Sequence, residues 1–113
     1  LKNGQIKEDL SKYQAIIVGI RAYNTEDWLK FAQDKLMEYV KNGGTLLIQY
    51  HTKQRLVTQN LGPYPFTIGR ERVTVEEAPI KFLKPEHPIL NFPNKITEKD
   101  FEGWVQERGL YFA

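Results

Sequence analysis

Two short polar clusters follow the two most apolar runs of this chain. "RAYN" (Arg21, Ala22, Tyr23, Asn24) leaves "QAIIVGI", and "HTKQR" (His51 to Arg55) leaves "TLLIQY". Arg carries a planar donor fork suited to carboxylate, phosphate or sugar hydroxyls, and His exchanges a proton near neutral pH. Arg21, Tyr23, Asn24, Tyr50, His51 and Arg55 are therefore candidates for a polar ligand pocket. Near the end, Glu107 and Arg108 add an adjacent acid and base. On an extended strand these two point to opposite faces, so they cannot act as one catalytic pair. Each could still reach Arg21 or His51 across a sheet. His51 oriented by Glu107 would make a general base. The plainer alternative is that Arg21 pairs with a nearby acid, His51 bonds its own loop, and the 107–108 charges anchor that loop.

The elements that would position these residues are legible from periodicity. Residues 14–20 form a continuous apolar run of strand length, the look of a strand buried on both faces in a parallel sheet. Asn24 or Thr25 can cap a helix with Glu26 and Asp27 in its first turn. Trp28, Ala32, Leu36, Tyr39 and Val40 then recur at spacings of three and four as one buried stripe. Asn42-Gly43-Gly44 stops the helix, and residues 45–50 form the second strand. Strand, helix, strand predicts a βαβ unit with parallel strands, whose carboxyl ends are where open α/β sheets bind ligands. Adjacent strands would bring Arg21 close to His51.

Beyond His51 the pattern dissolves into a long Pro- and Gly-containing loop to Gly69, of a length that is disproportionately functional. "RVTV" and "PIKFL" alternate weakly, as short antiparallel strands do. "KPEHPILNFPNK" reads as turns. Thr97 to Asp100 has capping-box spacing with Ile96 and Phe101 at staple positions, and Gly103 can end that short helix. Trp104, Tyr111 and Phe112 are expected in core or inter-domain contacts.

Bulk properties exclude several functions. The 113 residues hold 16 basic and 14 acidic side chains, a net charge of +2, with no basic stripe for nucleic-acid phosphates. No cysteine is present, which removes a thiol nucleophile, a disulfide framework and a Cys-type zinc site. His51 and His87 are the only histidines and have no HxH or HExxH spacing, so no metal and no cofactor is expected. No apolar run is long enough to span a membrane.

The blocks "SKYQAIIVGIRAYN", "YVKNGGTLLIQYHT", "GPYPF" and "HPILNFPNKITEKDFEGWVQERGLYF" resemble the C-terminal region of certain large bacterial PIG-L (LmbE-like) deacetylase family proteins. The resemblance covers nearly the whole chain. It implies a class I glutamine-amidotransferase-like, flavodoxin-like domain: three-layer α/β with a mostly parallel sheet, a single domain over 1–113 and a truncated one. "YVKNGGTLLIQYH" is also similar to the strand entry of trehalose-utilisation-type members, with His51 at the strand end. The family's deacetylase domain carries a His-Pro-Asp-Asp type zinc motif. Here His87-Pro88 is followed by Ile89 and Leu90, and the amidotransferase cysteine has no counterpart. The resemblance thus implies a non-catalytic accessory domain of a zinc-dependent N-acetyl-sugar deacetylase, with a sugar- or anion-binding module as the alternative. Its implied partners are the deacetylase domain of a parent chain and a glycan. The apolar ending "GLYFA" would be an interior segment, and an exposed sheet edge there would invite self-association. A periplasmic or exported bacterial location is the family's implication.

Overall fold

A computed structural model of the protein describes residues 6–105 and 109–113. They divide into two compact units: the described residues up to Glu71 together with Tyr111–Ala113, and Arg72–Leu110.

The first unit is built on a parallel pair. Strand β1 (Ala15–Val18) lies beside β2 (Thr45–Ile48), with Ala15 opposite Thr45 and Val18 opposite Ile48. The chain between them carries α1 (Ala22–Thr25) and α2 (Leu29–Lys41). Parallel strands require a crossover of this kind, so the βαβ spacing is realised. The strands are shorter than their apolar runs, and they are not buried on both faces as expected. Val18 is 6% exposed, whereas Ile17 is 64% and Leu47 53% exposed. Ile16, Leu46 and Ile48 pack against the core formed by Leu10, Val18, Tyr23, Leu29, Leu36, Tyr39 and Leu61. Pleating sends alternate side chains to opposite faces, and only one face is covered.

The helix also starts later than the capping residues suggest. Arg21 takes a left-handed backbone (φ 58°) and Glu26 a non-helical one (φ −107°, ψ 88°), which isolate α1 as a single turn. Trp28 occupies the N-cap of α2 without a side-chain cap, and its indole N–H donates to Glu26 at 3.0 Å. Asn24 is unavailable as a cap because its amide is spent on the loop after β2. The buried stripe is Leu29, Ala32, Gln33, Leu36 and Tyr39, while Trp28 and Val40 are half-buried. At the far end Gly43 (φ 93°) takes the left-handed turn that suits glycine. Gly44 then passes under the Tyr39 ring, so closely that a Cβ there would clash with Cζ.

In the second unit β3 (Arg72–Val73) pairs antiparallel with β4 (Gly109–Leu110). "PIKFL" forms no strand: Pro79 has no N–H to donate, and Ile80 and Leu83 are 46% and 83% exposed. Two 3-10 turns, Pro88–Leu90 and Glu98–Phe101, supply the remaining regular structure. The second closes the capping box at Thr97, and Gly103 (φ 75°) follows it. Trp104 is 67% exposed, set edge-on to Phe101 at 5.2 Å, so of the two expected placements, core or inter-domain contact, the core of this chain is the one it does not take.

Candidate ligand site at the strand ends

Past β1 and β2 the hydrogen-bond ladder continues for two more rungs. Gln49 N donates to Val18 O at 3.0 Å, and Arg21 N donates to Tyr50 O at 2.8 Å. The two polar clusters therefore do meet, through their backbones. Their side chains then take different tasks.

His51 is 5% exposed. Its Nδ1 lies 2.5 Å from the carbonyl oxygen of Gln49. A carbonyl only accepts, so Nδ1 carries the proton and Nε2 of the neutral ring is left as an acceptor. That Nε2 is buried and has no hydrogen-bond partner among the described residues. Burial, partly opposed by the Gln49 bond, pushes the imidazole's pKa below 6.5 and keeps the ring neutral.

Tyr23 sits against this ring, centroid to centroid 5.1 Å at 56°. It is fully buried, its hydroxyl donates to Gln33 Oε1, and Gln33 Nε2 donates to Asn60 O. Burial raises the Tyr23 pKa above 10, against the opposing effect of Gln33, so the phenol stays neutral. Gln33 was absent from the sequence candidates. Its signal was present, because 29, 32, 33, 36 places a polar side chain on the buried stripe.

Asn24 is a loop clamp. Its Nδ2 donates to Thr52 O at 3.0 Å and Gln54 O at 2.8 Å, and its Oδ1 accepts from Thr52 N at 3.0 Å. Val57 N donates to Tyr23 O at 2.9 Å. These bonds hold the start of the long loop over the strand ends. Arg21 and Arg55 are exposed, both in left-handed backbone. Glu107 and Arg108 lie outside the described residues.

A cavity of about 210 Å³ opens beside His51. Gln49, Tyr50 and His51 line it with Ile48, Leu61, Phe66, Ile68 and Tyr111, while neither Arg21 nor Arg55 does. Tyr50 and Tyr111 rings lie 6.2 Å apart, and Gly69 N donates to Phe112 O at 2.6 Å, fastening the final segment to the loop. Leu61, Phe66 and Ile68 escaped sequence reasoning because the closure of an irregular loop leaves no periodic trace.

The other histidine is a local cap: His87 Nδ1 accepts from Ile89 N at 3.2 Å at the start of Pro88–Leu90. No group of three His, Cys, Asp or Glu side chains is placed to hold a metal among the described residues. No described helix is long and apolar enough to cross a membrane.

No protein-family model matches the chain, and no curated protein or solved structure does.

Proposed function

We propose that this chain is a non-catalytic α/β accessory domain that recognises a small molecule at the carboxyl ends of β1 and β2. The observation that carries the reading is the cavity of about 210 Å³ at the ends of β1 and β2, where Gln49, Tyr50 and His51 line it together with apolar side chains. Catalysis is less well supported. The cavity walls named above carry no carboxylate and no aliphatic hydroxyl or thiol to serve as nucleophile. His51 is oriented through its Nδ1 by the backbone carbonyl of Gln49.

The parent context belongs to the same proposal. The chain would be the amidotransferase-like module of a PIG-L family deacetylase, completed into a three-layer sheet and docked on its catalytic domain. The exposed Ile17 and Leu47 on the uncovered face of β1 and β2 are compatible with such completion.

An amide-detected NMR titration with N-acetylglucosamine oligomers and simple anions tests the binding reading. Saturable shifts clustered on 21–24 and 48–55 are the expected outcome for a binding module of either ligand class. A well-dispersed spectrum indifferent to small molecules of every kind would leave a scaffold and defeat the binding reading.

A further inference from the structure

One buried ring stands where β2 passes into the long loop. The His51 imidazole is 5% exposed, its Nδ1 donates to Gln49 O at 2.5 Å, and its Nε2 is buried with no partner among the described residues. The Tyr23 ring packs against it at 5.1 Å, but the Tyr23 hydroxyl is already donated to Gln33. The other titratable or charged side chains around it are Tyr50, Lys53 and Arg55 on its own segment, Arg21 at the end of β1, and Tyr111 on the same cavity. With Gln49 O on one nitrogen and nothing on the other, no described carboxylate bonds to the ring. The residues that follow are tied to α1 by a few hydrogen bonds. Thr52 N donates to Asn24 Oδ1 at 3.0 Å, Asn24 Nδ2 donates to Thr52 O and Gln54 O, and Val57 N donates to Tyr23 O at 2.9 Å. None of residues 52–57 is buried, although Leu56 and Val57 touch the core in part. Beyond them the chain is fixed again, by Gln33 on Asn60 O and by the buried Leu61.

We propose that His51 is an acid-sensitive latch: when its ring takes a second proton it leaves the core for water, and segment 52–57 comes off α1 with it while β1, β2 and α2 stay packed. A buried imidazolium whose new N–H meets no acceptor is far less stable than one in water, so protonation and exposure of the ring go together. Chain continuity passes the movement to Thr52, whose N–H and C=O both bond to Asn24. The core residues Leu10, Val18, Tyr23, Leu29, Leu36, Tyr39 and Leu61 all lie outside 52–57, so the opening leaves them in place. Its far limit is Asn60, where the bond from buried Gln33 involves no group that titrates. The sign follows from burial, which holds the closed ring's pKa below 6.5. Below pH 6.5 the open form binds a proton that the closed form refuses, so opening becomes easier as pH falls toward the closed-form value. Above pH 6.5 it is independent of pH. His51 also lines the strand-end cavity, so the latch alters that cavity whether or not a ligand enters it.

The test is amide hydrogen exchange on the intact chain from pH 7.5 to 5, corrected for the intrinsic pH dependence of exchange. The amides of Thr52 and Val57 report the latch, because each donates to an α1 residue. Those of Gln49, bonded to Val18 O, and Asn42, bonded to Glu38 O, report the packed unit. Protection at Thr52 and Val57 is expected to fall by up to tenfold per pH unit below 6.5, one proton per opening, while Gln49 and Asn42 hold theirs. The imidazole 15N signals of the unaltered chain separate His51 from His87, and the loss of protection should follow His51. His51→Phe keeps a ring and removes the proton site, so the pH slope should vanish there. His87→Gln, at an exposed cap in the second unit, should retain it. If His51→Phe does not fold, the 15N signals and exchange of the unaltered chain still decide the matter. Protection lost equally at all four amides would make the event global unfolding and overturn the latch. Titration of the His51 ring with Thr52 and Val57 still protected would mean that the ring turns out alone, and would overturn the release of 52–57. A slope that survives in His51→Phe would assign the proton to another group and end the proposal.

Discussion

The two units spend similar kinds of residues in opposite ways. In the first, Leu10, Val18, Tyr23, Leu29, Leu36, Tyr39 and Leu61 are removed from water around one helix face. In the second, Arg72–Leu110, no described residue is buried, although the segment contains Ile80, Leu83, Ile89, Phe92 and Trp104. That segment is held by local bonds. Asn91 Nδ2 donates to Pro85 O at 2.8 Å and His87 O at 3.0 Å, and Ile96 N donates to Leu90 O at 2.8 Å. Apolar count is comparable to a core; apolar period is not. Residues recurring at 3.6 or 2.0 line one face together, and a shared face excludes water.

The largest test of that contrast is truncation at matched chemistry. Leu36 is 2% exposed and Ile89 71% exposed. Leu36→Ala should cost about 2–5 kcal/mol, and Ile89→Ala should stay within about 0.5 kcal/mol. Urea midpoints with unchanged slope measure both. Comparable losses would mean that the second unit owns a core of its own, and the contrast would collapse.

Next in size is a pair of glycines that fail for different reasons. A Cβ on Gly44 meets the Tyr39 ring, which is 7% exposed and anchored by its hydroxyl donating to Tyr13 O at 2.9 Å. The ring cannot step aside cheaply, so Gly44→Ala should destabilise by about 1–3 kcal/mol through overpacking. Gly103 has open space around it but sits at φ 75°. Its replacement by Ala strains the backbone alone, at about 1 kcal/mol, and should register only in the second unit's amide exchange. Loss of protection in β1 and β2 on Gly103→Ala would show that the strain is not confined to the second unit.

A third test uses protons. Burial lowers the His51 pKa in the folded protein, while the unfolded chain titrates near 6.5. Below pH 6.5 the unfolded state takes up a proton that the folded state refuses, so stability falls as pH drops toward the folded value. The slope reaches at most about 1.4 kcal/mol per pH unit in that window and vanishes above it. His51→Phe should flatten this component. Persistence of the full slope in that variant would place the titration elsewhere.

Much of the first unit was legible before any coordinates. "QAIIVGI", the helix stripe and "TLLIQY" point to a parallel βαβ pair because two strand-length apolar runs flank one amphipathic helix. His51 at a strand end was legible for the same reason. The convergence of Arg21 on His51 was half right: parallel pairing brings the backbones together, but the left-handed turn at Arg21 decides where its side chain goes, and no spacing rule encodes that turn in an Arg. The cavity walls at 61, 66, 68 and 111 depend on how an aperiodic loop is clamped by Asn24. Such clamps are hydrogen bonds between residues distant in sequence, invisible to pattern. The weak alternation in "PIKFL" misled because alternation predicts a strand only where another strand offers a face to cover.

The smallest expected effect is also the most local. Asp100 Oδ2 accepts from Thr97 N at 2.6 Å and from Thr97 Oγ1 at 3.2 Å, closing the box on the Glu98–Phe101 turn. The site is exposed, and caps of this kind contribute about 0.5–1 kcal/mol. Asp100→Ala should therefore leave the urea midpoint almost unmoved. It should instead accelerate amide exchange at Asp100, Glu102 and Trp104, whose N–H groups bond within that turn and the next. Where no described residue is buried, such short-range bonds have no surrounding core to share their load, so losing one is felt by its immediate neighbours. A global loss of about 2 kcal/mol or more, the scale of the Leu36 truncation, would show that the turn is coupled to the packed βαβ unit. The two units would then have to be treated as one cooperative fold.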